Sequence, residues 1–516
     1  MRNFITRHAK QITGVLHGFD RVLFRGNFLR LCFPEGVEIF LNRQGVLLKH
    51  FGSFMEQMTG MMRDAAVRIV TQLHRPPIKY LESSAVRKEE VAKAILREHP
   101  VTDGLVCVLS CVEPCTTWQV FRSREHKTQT LQRRRSKCLH YYFYFIDPEF
   151  GWTHVRVQTW IPYTVHVYVN GREWLAGQLD REGITYRRAD NCFLELGDVA
   201  RAQEIMDRMR TIPWQAVLRD LAMSANPMLQ TVVEHLGAPI HWTVNQSEYA
   251  TDVMFRKAED LAALYPRLVR YAISDLHSRD TMRFLGKKLT VQYRGEVLTR
   301  FKQRPEGICV RHHAGRNSIK VYDKAGSVLR VETTINDPSE FKRRRRAQGD
   351  RDSEVKPRPI RKGVADIGPR AAVGERANAR YLDALATVDE DKTVANVLDS
   401  VLARAEIGGR KVRSLAPWSH PDLDMLQAIG KGEFMANGFR NRDILPLVTA
   451  DFGNDPVAKR KASAKVTRLL RILRAHGILR RIPHTHRYQV TSKGRLVLAA
   501  VLGTRDASIS KLKQCA

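Results

Sequence analysis

The chain has 516 residues, of which 85 are Lys or Arg and 54 are Asp or Glu, so its formal net charge at pH 7 is +31. A hydrophobic fraction of 43% excludes a disordered chain, and no stretch approaches the roughly twenty apolar residues that span a bilayer. The length predicts roughly two to four domains, and the charge favours polyanions, DNA or RNA, over a membrane as partners.

Residues 1–120 are predicted to form an N-terminal α/β domain. Alternating apolar and polar residues indicate a strand at 19–26, and helical spacing of apolar residues covers 37–48, 54–72 and 87–98. The apolar run at 104–112 predicts a buried strand. We find no internal repeat in the sequence.

Eight cysteines are scattered along the chain, which excludes a disulfide scaffold. Cys107, Cys111 and Cys115 have a spacing that zinc sites permit, and Cys138 and His140 follow. On one strand, however, Cys107 and Cys111 would lie about 13 Å apart, since each residue advances a strand by about 3.3 Å. We therefore expect buried structural cysteines here rather than a metal site.

Residues 138–290 are predicted to form an α+β unit. A meander of three strands is indicated at 138–147, 153–160 and 163–169, and the sequence after residue 198 is largely helical. Asn170 and Gly171 are expected to end the meander.

Carboxylates in and before this unit suggest an RNase H-like site for two-metal phosphoryl transfer, which needs three or four convergent carboxylates. Asp147 ends a predicted strand, and Glu248 and Asp252 lie one turn apart if residues 246–255 are helical. Asp20 and Glu113 are further candidates for this set. The sequence around Asp147 is equally typical of an ordinary turn.

The densest polar sequence lies in a predicted antiparallel sheet unit at 291–340. Three strands joined by glycine-containing turns account for residues 308–336, and alternation places Ile319 and Val331 on the same face. The opposite face carries the polar side chains Lys320, Tyr322, Lys324, Arg330 and Glu332, with either His312 or His313 according to the register.

This face has three interpretations. In the first, Glu332 and His312 hold a divalent metal, Tyr322 is a nucleophile or base in phosphodiester chemistry, and the basic residues stabilise phosphate charge. In the second, Lys320, Lys324 and Arg330 grip phosphate without chemistry. In the third, the face is simply solvated. The strand pair distantly resembles hairpins of filamentous-phage replication initiators, but the His-x-His strand of those enzymes is missing, since His312 and His313 are adjacent.

Residues 341–375 are predicted to be a basic linker, or an arm that orders on nucleic acid, because charge and proline replace the apolar pattern. The linker contains four consecutive arginines that either contact phosphate or stay solvated: Arg343, Arg344, Arg345 and Arg346. A helical connector is expected at 376–420.

Residues 421–505 are predicted to form a winged-helix nucleic-acid-binding domain. A support helix at 441–447 precedes a helix that starts near residue 462, whose apolar and basic residues fall on opposite faces. Alternation at 478–481 and 487–491 indicates a two-stranded wing. The side chains expected to contact nucleic acid are Lys465, Arg468, Arg471, Arg474, His484, His486 and Arg487.

Five segments of the chain, spread over most of its length, resemble a broad group of uncharacterised bacterial proteins that carry a winged-helix, MarR-like label at the C-terminus. These segments are residues 16–26, 107–115, 170–174, 317–324 and 328–336. The resemblance implies a C-terminal winged helix and transfers no catalytic residue.

These features predict an α+β multidomain protein with mixed or antiparallel sheets, a basic linker and a C-terminal winged helix. We expect a cytoplasmic bacterial protein, plausible at the nucleoid, that binds DNA through the winged helix and DNA or RNA through its basic body. The alternative is a metal-dependent nuclease or strand-transfer enzyme of a mobile genetic element, with Mg²⁺ or Mn²⁺ as its cofactor. The sequence leaves the oligomeric state and the target open.

Overall fold

The computed structural model describes residues 1–122, 128–287, 295–304, 307–350, 352–386, 394–431, 434, 438–449, 455–482 and 485–506. The chain forms two compact units, which we call the first unit (Met1–Val388) and the second unit (Asp389–Ala516). Among the described residues, no helix combines the length and the apolar character needed to cross a bilayer.

An eleven-stranded mixed sheet forms the centre of the first unit, and a two-stranded hairpin lies beside it. The sheet strands are β1 (Ile12–Asn27), β2 (Lys79–Leu81), β3 (Gly104–Arg122), β4 (Gln129–Asp147), β5 (Gly151–Gln158), β6 (Val165–Asn170), β9 (His241–Phe255), β10 (Val297–Arg304), β11 (Gly307–Ala314), β12 (Asn317–Lys324) and β13 (Val328–Ile335). The hairpin consists of β7 (Tyr186–Ala189) and β8 (Cys192–Leu196). Within the sheet, β2 pairs parallel with β3, and the other paired strands are antiparallel.

The order of strands in the sheet reveals a repeat of topology. Strand β1 is followed by helices, by the short edge strand β2 and α4, and then by β3, β4, β5 and β6, of which β6 returns to pair with β1. Strand β9 is likewise followed by helices and then by β10 to β13, of which β13 returns to pair with β9. Since β1 and β9 pair with each other, the two halves meet at the middle of the sheet. The sequence shows no such repeat, so the likeness is one of topology alone.

Helices cover most of one side of the sheet, which we call the helix face. The helices of the first unit are α1 (Arg2–Arg7), α2 (Pro34–Arg43), α3 (Phe51–Gln72), α4 (Lys88–Glu98), α5 (Gly171–Arg181), α6 (Val199–Arg208), α7 (Trp214–Ala225), α8 (Met228–Leu236), α9 (Ala258–Ser274), α10 (Ser278–Phe284) and α11 (Ile367–Leu385). On the helix face, α2, α3, α7 and α8 pack over the half of the sheet that contains β1. Helices α9, α10 and α11 pack over the half that contains β9.

The structure corrects the prediction of a helix at residues 246–255, which belong to strand β9. Thr243, Val244, Thr251 and Val253 are β-branched, and such residues favour a pleated strand over a helix. The strands of the three segments predicted as separate units, 1–120, 138–290 and 291–340, pair in one sheet.

The segment predicted as a basic linker is folded where it is described. Lys342–Arg345 and Lys356–Pro359 form an antiparallel hairpin, β14 and β15, and α11 begins at Ile367. Arg343 lies 2.9 Å from the buried Asp366 carboxylate, which ties the hairpin to the start of α11. Arg344 donates to the carbonyl oxygen of Val355, and Arg345 donates to that of Pro359.

The second unit is mostly helical, with two short hairpins. Its elements are α12 (Val394–Leu402), β16 (Ala405–Ile407), β17 (Arg410–Val412), α13 (Asp422–Ile429), α14 (Asn441–Val448), α15 (Pro456–Ala475), β18 (Leu479–Arg481), β19 (Tyr488–Val490) and α16 (Ser492–Asp506). Val466, Leu470 and Leu473 of α15 are buried in the core that these elements share.

Two glycines of α5 provide a test of how this helix packs. A Cβ atom at Gly171 would lie 2.0 Å from the carbonyl oxygen of Phe19 in β1, whereas a Cβ at Gly177 would have nothing within 4 Å. We expect Gly171→Ala to lower the free energy of unfolding by about 1–3 kcal/mol, since overpacking forces backbone shifts. Gly177→Ala should raise it by about 0.5–1 kcal/mol through helix propensity. Urea unfolding of the full chain measures both; equal stability of the two variants would contradict the close approach of α5 to β1.

Candidate functional site

A cluster of charged side chains lies on the side of the sheet opposite to the helix face, which we call the polar face. The pairing of Lys320 with Glu332 and of Tyr322 with Arg330 places all four side chains on it. This confirms the predicted separation of the two faces of β12 and β13, because Ile319 and Val331 lie on the helix face. The polar face is therefore built by strict alternation along neighbouring strands.

The next two strands extend the cluster with carboxylates. Asp252 of β9 pairs with Arg330 of β13, and Glu248 lies four residues earlier on β9, so it projects from the same face. On β1 the register shifts between Phe19 and Arg21, which leaves Asp20 as an extra residue. Such a bulge redirects side chains, and here the Asp20 carboxylate reaches the cluster.

Arg330 is the centre of the cluster and is completely buried. Its Nε and Nη2 atoms donate to the two carboxylate oxygens of Asp252 at 2.5 and 2.9 Å. Its Nη1 donates to Asp20 at 3.2 Å. The bidentate contact with Asp252 matches the planar fork of a guanidinium to a carboxylate.

Two residues from outside the sheet complete this arrangement. Arg172 of α5 is buried and lies 2.9 Å from Asp252. Asn191, in the turn between β7 and β8, donates from Nδ2 to Asp20 at 2.8 Å and accepts from Arg330 at its carbonyl oxygen. The β7–β8 hairpin thus covers this end of the cluster.

Neither Arg172 nor Asn191 was predicted as a site residue. The signal for Arg172 is its place after Asn170 and Gly171: Asn170 caps α5 by accepting from the backbone N–H groups of Arg172 and Glu173. Gly171 permits the close approach to β1. The turn at Asn191 offers no comparable signal.

Glu332 is held by residues of β12. The Lys320 ammonium lies 2.6 Å from Glu332 Oε1, and the Tyr322 hydroxyl donates to Oε2 at 3.0 Å. Burial acts to raise the pKa of Glu332, but the Lys320 charge and these hydrogen bonds outweigh it, so the pKa is lowered. Burial raises the pKa of the Tyr322 hydroxyl well above its usual range, so Tyr322 remains protonated.

Glu248 differs from the other carboxylates because it makes no hydrogen bond or ion pair with any residue in the described part of the chain. Burial, followed by repulsion from Glu332, raises its pKa to about 7. Oxygen atoms of Asp20, Glu248 and Glu332 all lie within 4.8 Å of one another. Three converging carboxylates are the donor type that Mg²⁺ and Mn²⁺ prefer.

The polar face continues beyond this cluster across β6 and β5. Tyr168 pairs with His154, and His166 pairs with Arg156, so these four side chains lie on the same face as Arg21. The His154 and Tyr168 rings are stacked with their centroids 5.1 Å apart. Burial lowers the pKa of His154 to about 4 and that of His166 to about 3, which keeps both neutral at pH 7.

The predicted histidine does not join Tyr322 and Glu332. His312 pairs with Ile319 and therefore points to the helix face, with its Nε2 atom 2.8 Å from the Tyr381 hydroxyl. Burial lowers its pKa to about 4. The register instead places His313 on the polar side, opposite Ser318.

Two carboxylates considered for an RNase H-like set lie elsewhere. Asp147 accepts from the backbone N–H groups of Glu149 and Phe150, as in an ordinary turn. Glu113 is paired with Lys88 at 2.7 Å and Arg156 at 2.8 Å. The structure brings together Asp20, Glu248 and Asp252 from that predicted set, although β9 is a strand.

The other predicted nucleic-acid contacts are distributed over both units. Lys324 is paired with Asp190 at 2.8 Å. Lys465, Arg468 and Arg471 are exposed on α15, and Arg474 is partly buried. None of these four side chains forms an ion pair with a described residue. Arg487 donates to the Gly438 carbonyl oxygen, and His486 lies 3.5 Å from Arg481. His484 lies outside the described residues.

Comparisons of the chain with protein-family models, with curated proteins and with solved structures found no match. The function must therefore be inferred from the geometry of the chain itself.

The unpartnered Glu248 predicts a pH dependence of stability. Because its pKa is raised from 4.5 to about 7, the folded protein binds more protons than the unfolded chain in this window, and the free energy of unfolding falls as pH rises through it. Glu248→Gln removes this penalty. We expect the variant to gain about 1–2 kcal/mol relative to wild type between pH 5 and pH 8, measured by urea unfolding. The exposed Glu98→Gln is the control, and a pH-independent difference between Glu248→Gln and wild type would contradict the assignment.

Proposed function

We propose that this protein binds nucleic acid, with the second unit acting as a winged helix on duplex DNA and the first unit holding DNA or RNA. The observation that carries the proposal is the basic surface of α15. Lys465, Arg468 and Arg471 are exposed there and form no ion pair with a described residue. Val466 and Leu470, on the opposite side of the helix, are buried. Unneutralised cations on one side of a helix attract phosphates.

The order of elements supports the winged-helix proposal. Helix α14 is held against α15 by Asn441, whose Nδ2 donates to Thr467 Oγ1 at 2.8 Å. Strands β18 and β19 follow α15 as a hairpin, and Phe439 forms a bridge to Tyr488 of β19. Helix, basic helix and hairpin match a recognition helix in the major groove with a wing beside it.

The first unit supports the proposal with its polar face. Arg21 is half exposed and lies 3.7 Å from Asp20, and the partly buried Arg25 follows it on the same face of β1. Basic side chains on one surface suit a nucleic-acid strand, because cations contact phosphates. In line with the resemblance to bacterial winged-helix proteins, we place this binding in the bacterial cytoplasm.

A second candidate function is metal-dependent cleavage or transfer of phosphodiester bonds, as expected of a mobile-element enzyme. It is favoured by the convergence of Asp20, Glu248 and Glu332 beside this basic surface. A bound Mg²⁺ or Mn²⁺ would activate water and neutralise charge on the phosphate. Tyr322, buried and protonated, then orients Glu332 rather than acting as the nucleophile.

The binding proposal predicts the effect of removing two arginines. Arg468→Ala with Arg471→Ala should weaken duplex DNA binding at low salt by about 10- to 100-fold and reduce the slope of log K against log salt by about 2, since each lost phosphate contact contributes about 0.9. Arg201→Ala with Arg208→Ala removes two arginines that are paired with Glu182, and should change neither quantity. Fluorescence anisotropy between 50 and about 200 mM salt measures both. An unchanged slope in the first variant would refute the role of α15.

The cleavage candidate is tested separately. Labelled single- and double-stranded DNA and RNA are incubated with the full chain, with Mg²⁺, with Mn²⁺ or with EDTA. We expect metal-dependent cleavage that Glu248→Gln reduces by at least about 100-fold, while Asp147→Asn, in the β4–β5 turn, retains it. Intact nucleic acid under every condition would exclude the candidate and leave the binding proposal standing.

A further inference from the structure

The long strands β3 and β4 bring two cysteines and a histidine together, away from the carboxylate cluster. Cys115 pairs opposite Ser136 and Cys138 pairs opposite Glu113, so the two cysteines are diagonal neighbours across the strands. His140 lies two residues beyond Cys138 and therefore projects from the same face. The sequence predicts buried structural cysteines for this group because Cys107 and Cys111 lie far apart on one strand. The pairing of β3 with β4 brings a different set together and revises that expectation.

The three side chains are within reach of a common ligand. Cys115 Sγ and Cys138 Sγ are 3.1 Å apart, and Cys138 Sγ lies 4.0 Å from His140 Nδ1. One donor atom from each residue lies within 4.8 Å of the other two. Tetrahedral zinc, with Zn–S of about 2.3 Å, places two thiolates about 3.7 Å apart, so the sulfurs need to separate by less than about 1 Å.

His140 is a buried polar side chain whose hydrogen bonding is incomplete among the described residues. Its side chain is completely buried, and its Nδ1 lies 3.0 Å from the Cys138 carbonyl oxygen. Its Nε2 atom has no hydrogen-bond partner among the described residues. A buried polar atom without a partner costs about 1–3 kcal/mol. Nδ1 is the ring nitrogen that faces Cys138 Sγ, so zinc binding would exchange its hydrogen bond to the Cys138 carbonyl for a bond to the metal.

We propose that Cys115, Cys138 and His140 bind a zinc ion. Two thiolates and one imidazole are soft and borderline donors that select zinc over Mg²⁺ or Mn²⁺. Cys115 is only partly buried, which makes water the candidate fourth ligand. The ion joins the long strands β3 and β4. Its ligands are sulfur and nitrogen atoms, whereas the cluster of Asp20, Glu248 and Glu332 offers only carboxylate oxygens.

Metal analysis of the purified full chain tests the proposal. We expect about one zinc per chain after dialysis against metal-free buffer, and less than about one fifth of that in Cys115→Ser and Cys138→Ser. Cys32→Ser is the matched control, since Cys32 is also partly buried but lies outside the cluster. This variant should bind as much zinc as the wild type. Because Cys115 is not fully buried, Cys115→Ser is informative even if Cys138→Ser fails to fold.

Cobalt substitution gives a second readout. Co²⁺ added to zinc-free protein should produce a thiolate charge-transfer absorption that Zn²⁺ abolishes and that Cys115→Ser lacks. Two results would overturn the proposal: no zinc or cobalt bound by the wild type with both thiols free, or a mass decrease showing that Cys115 and Cys138 have formed a disulfide in the isolated chain. Neither readout involves nucleic acid, so the outcome is independent of the proposed function.

Discussion

The buried guanidinium of Arg330 is the interaction on which the centre of the first unit depends. It joins β13 to Asp252 of β9, to Asp20 of β1 and to the turn at Asn191. These contacts span both halves of the topological repeat, since β1 belongs to one half and β9 and β13 to the other. Burying these charges is costly unless all are paired, and removing one partner of such a set costs about 3–5 kcal/mol. The strand register at the middle of the sheet is therefore tied to a specific set of ion pairs.

The same arrangement leaves one carboxylate of the polar face without an ion pair among the described residues. Arg330 and Arg172 neutralise Asp252, and Lys320 neutralises Glu332. Glu248 forms no ion pair with any residue of the described chain. The pKa of Glu248 is raised first by burial and second by its repulsion from Glu332. A divalent cation would relieve this repulsion, and the nearby side chains of Arg21 and Arg25 would contact the phosphates of a polyanion. This relation connects the proposed metal chemistry with the proposed binding of nucleic acid.

The sequence predicts local alternation well and long-range assembly poorly. The faces of β12 and β13 were predicted correctly because side chains alternate with a period of two. Glu248 and Asp252 were expected on a helix, but they lie on a strand. Residues four positions apart share a face in either structure, so the prediction that their side chains lie together is correct although the predicted helix is wrong. His312 was assigned to the wrong side because adjacent histidines alternate and the pattern alone did not fix the register. The contact between Asp20 and Arg330 joins residues 310 positions apart, and a bulge on β1 is required to make it, so no local pattern reveals it.

A titration of Mn²⁺ into the full chain, with the free ion followed by electron paramagnetic resonance, tests most directly whether the carboxylates of Asp20, Glu248 and Glu332 form a cation site. At pH 8, where Glu248 is ionised, we expect at least one Mn²⁺ to bind per chain, and we expect Glu248→Gln to lose that binding. Mn²⁺ prefers oxygen donors, so the Cys115 cluster should not contribute. Binding that is equal in wild type and Glu248→Gln, or no binding in either, would contradict the assignment of a metal site to the centre of the sheet.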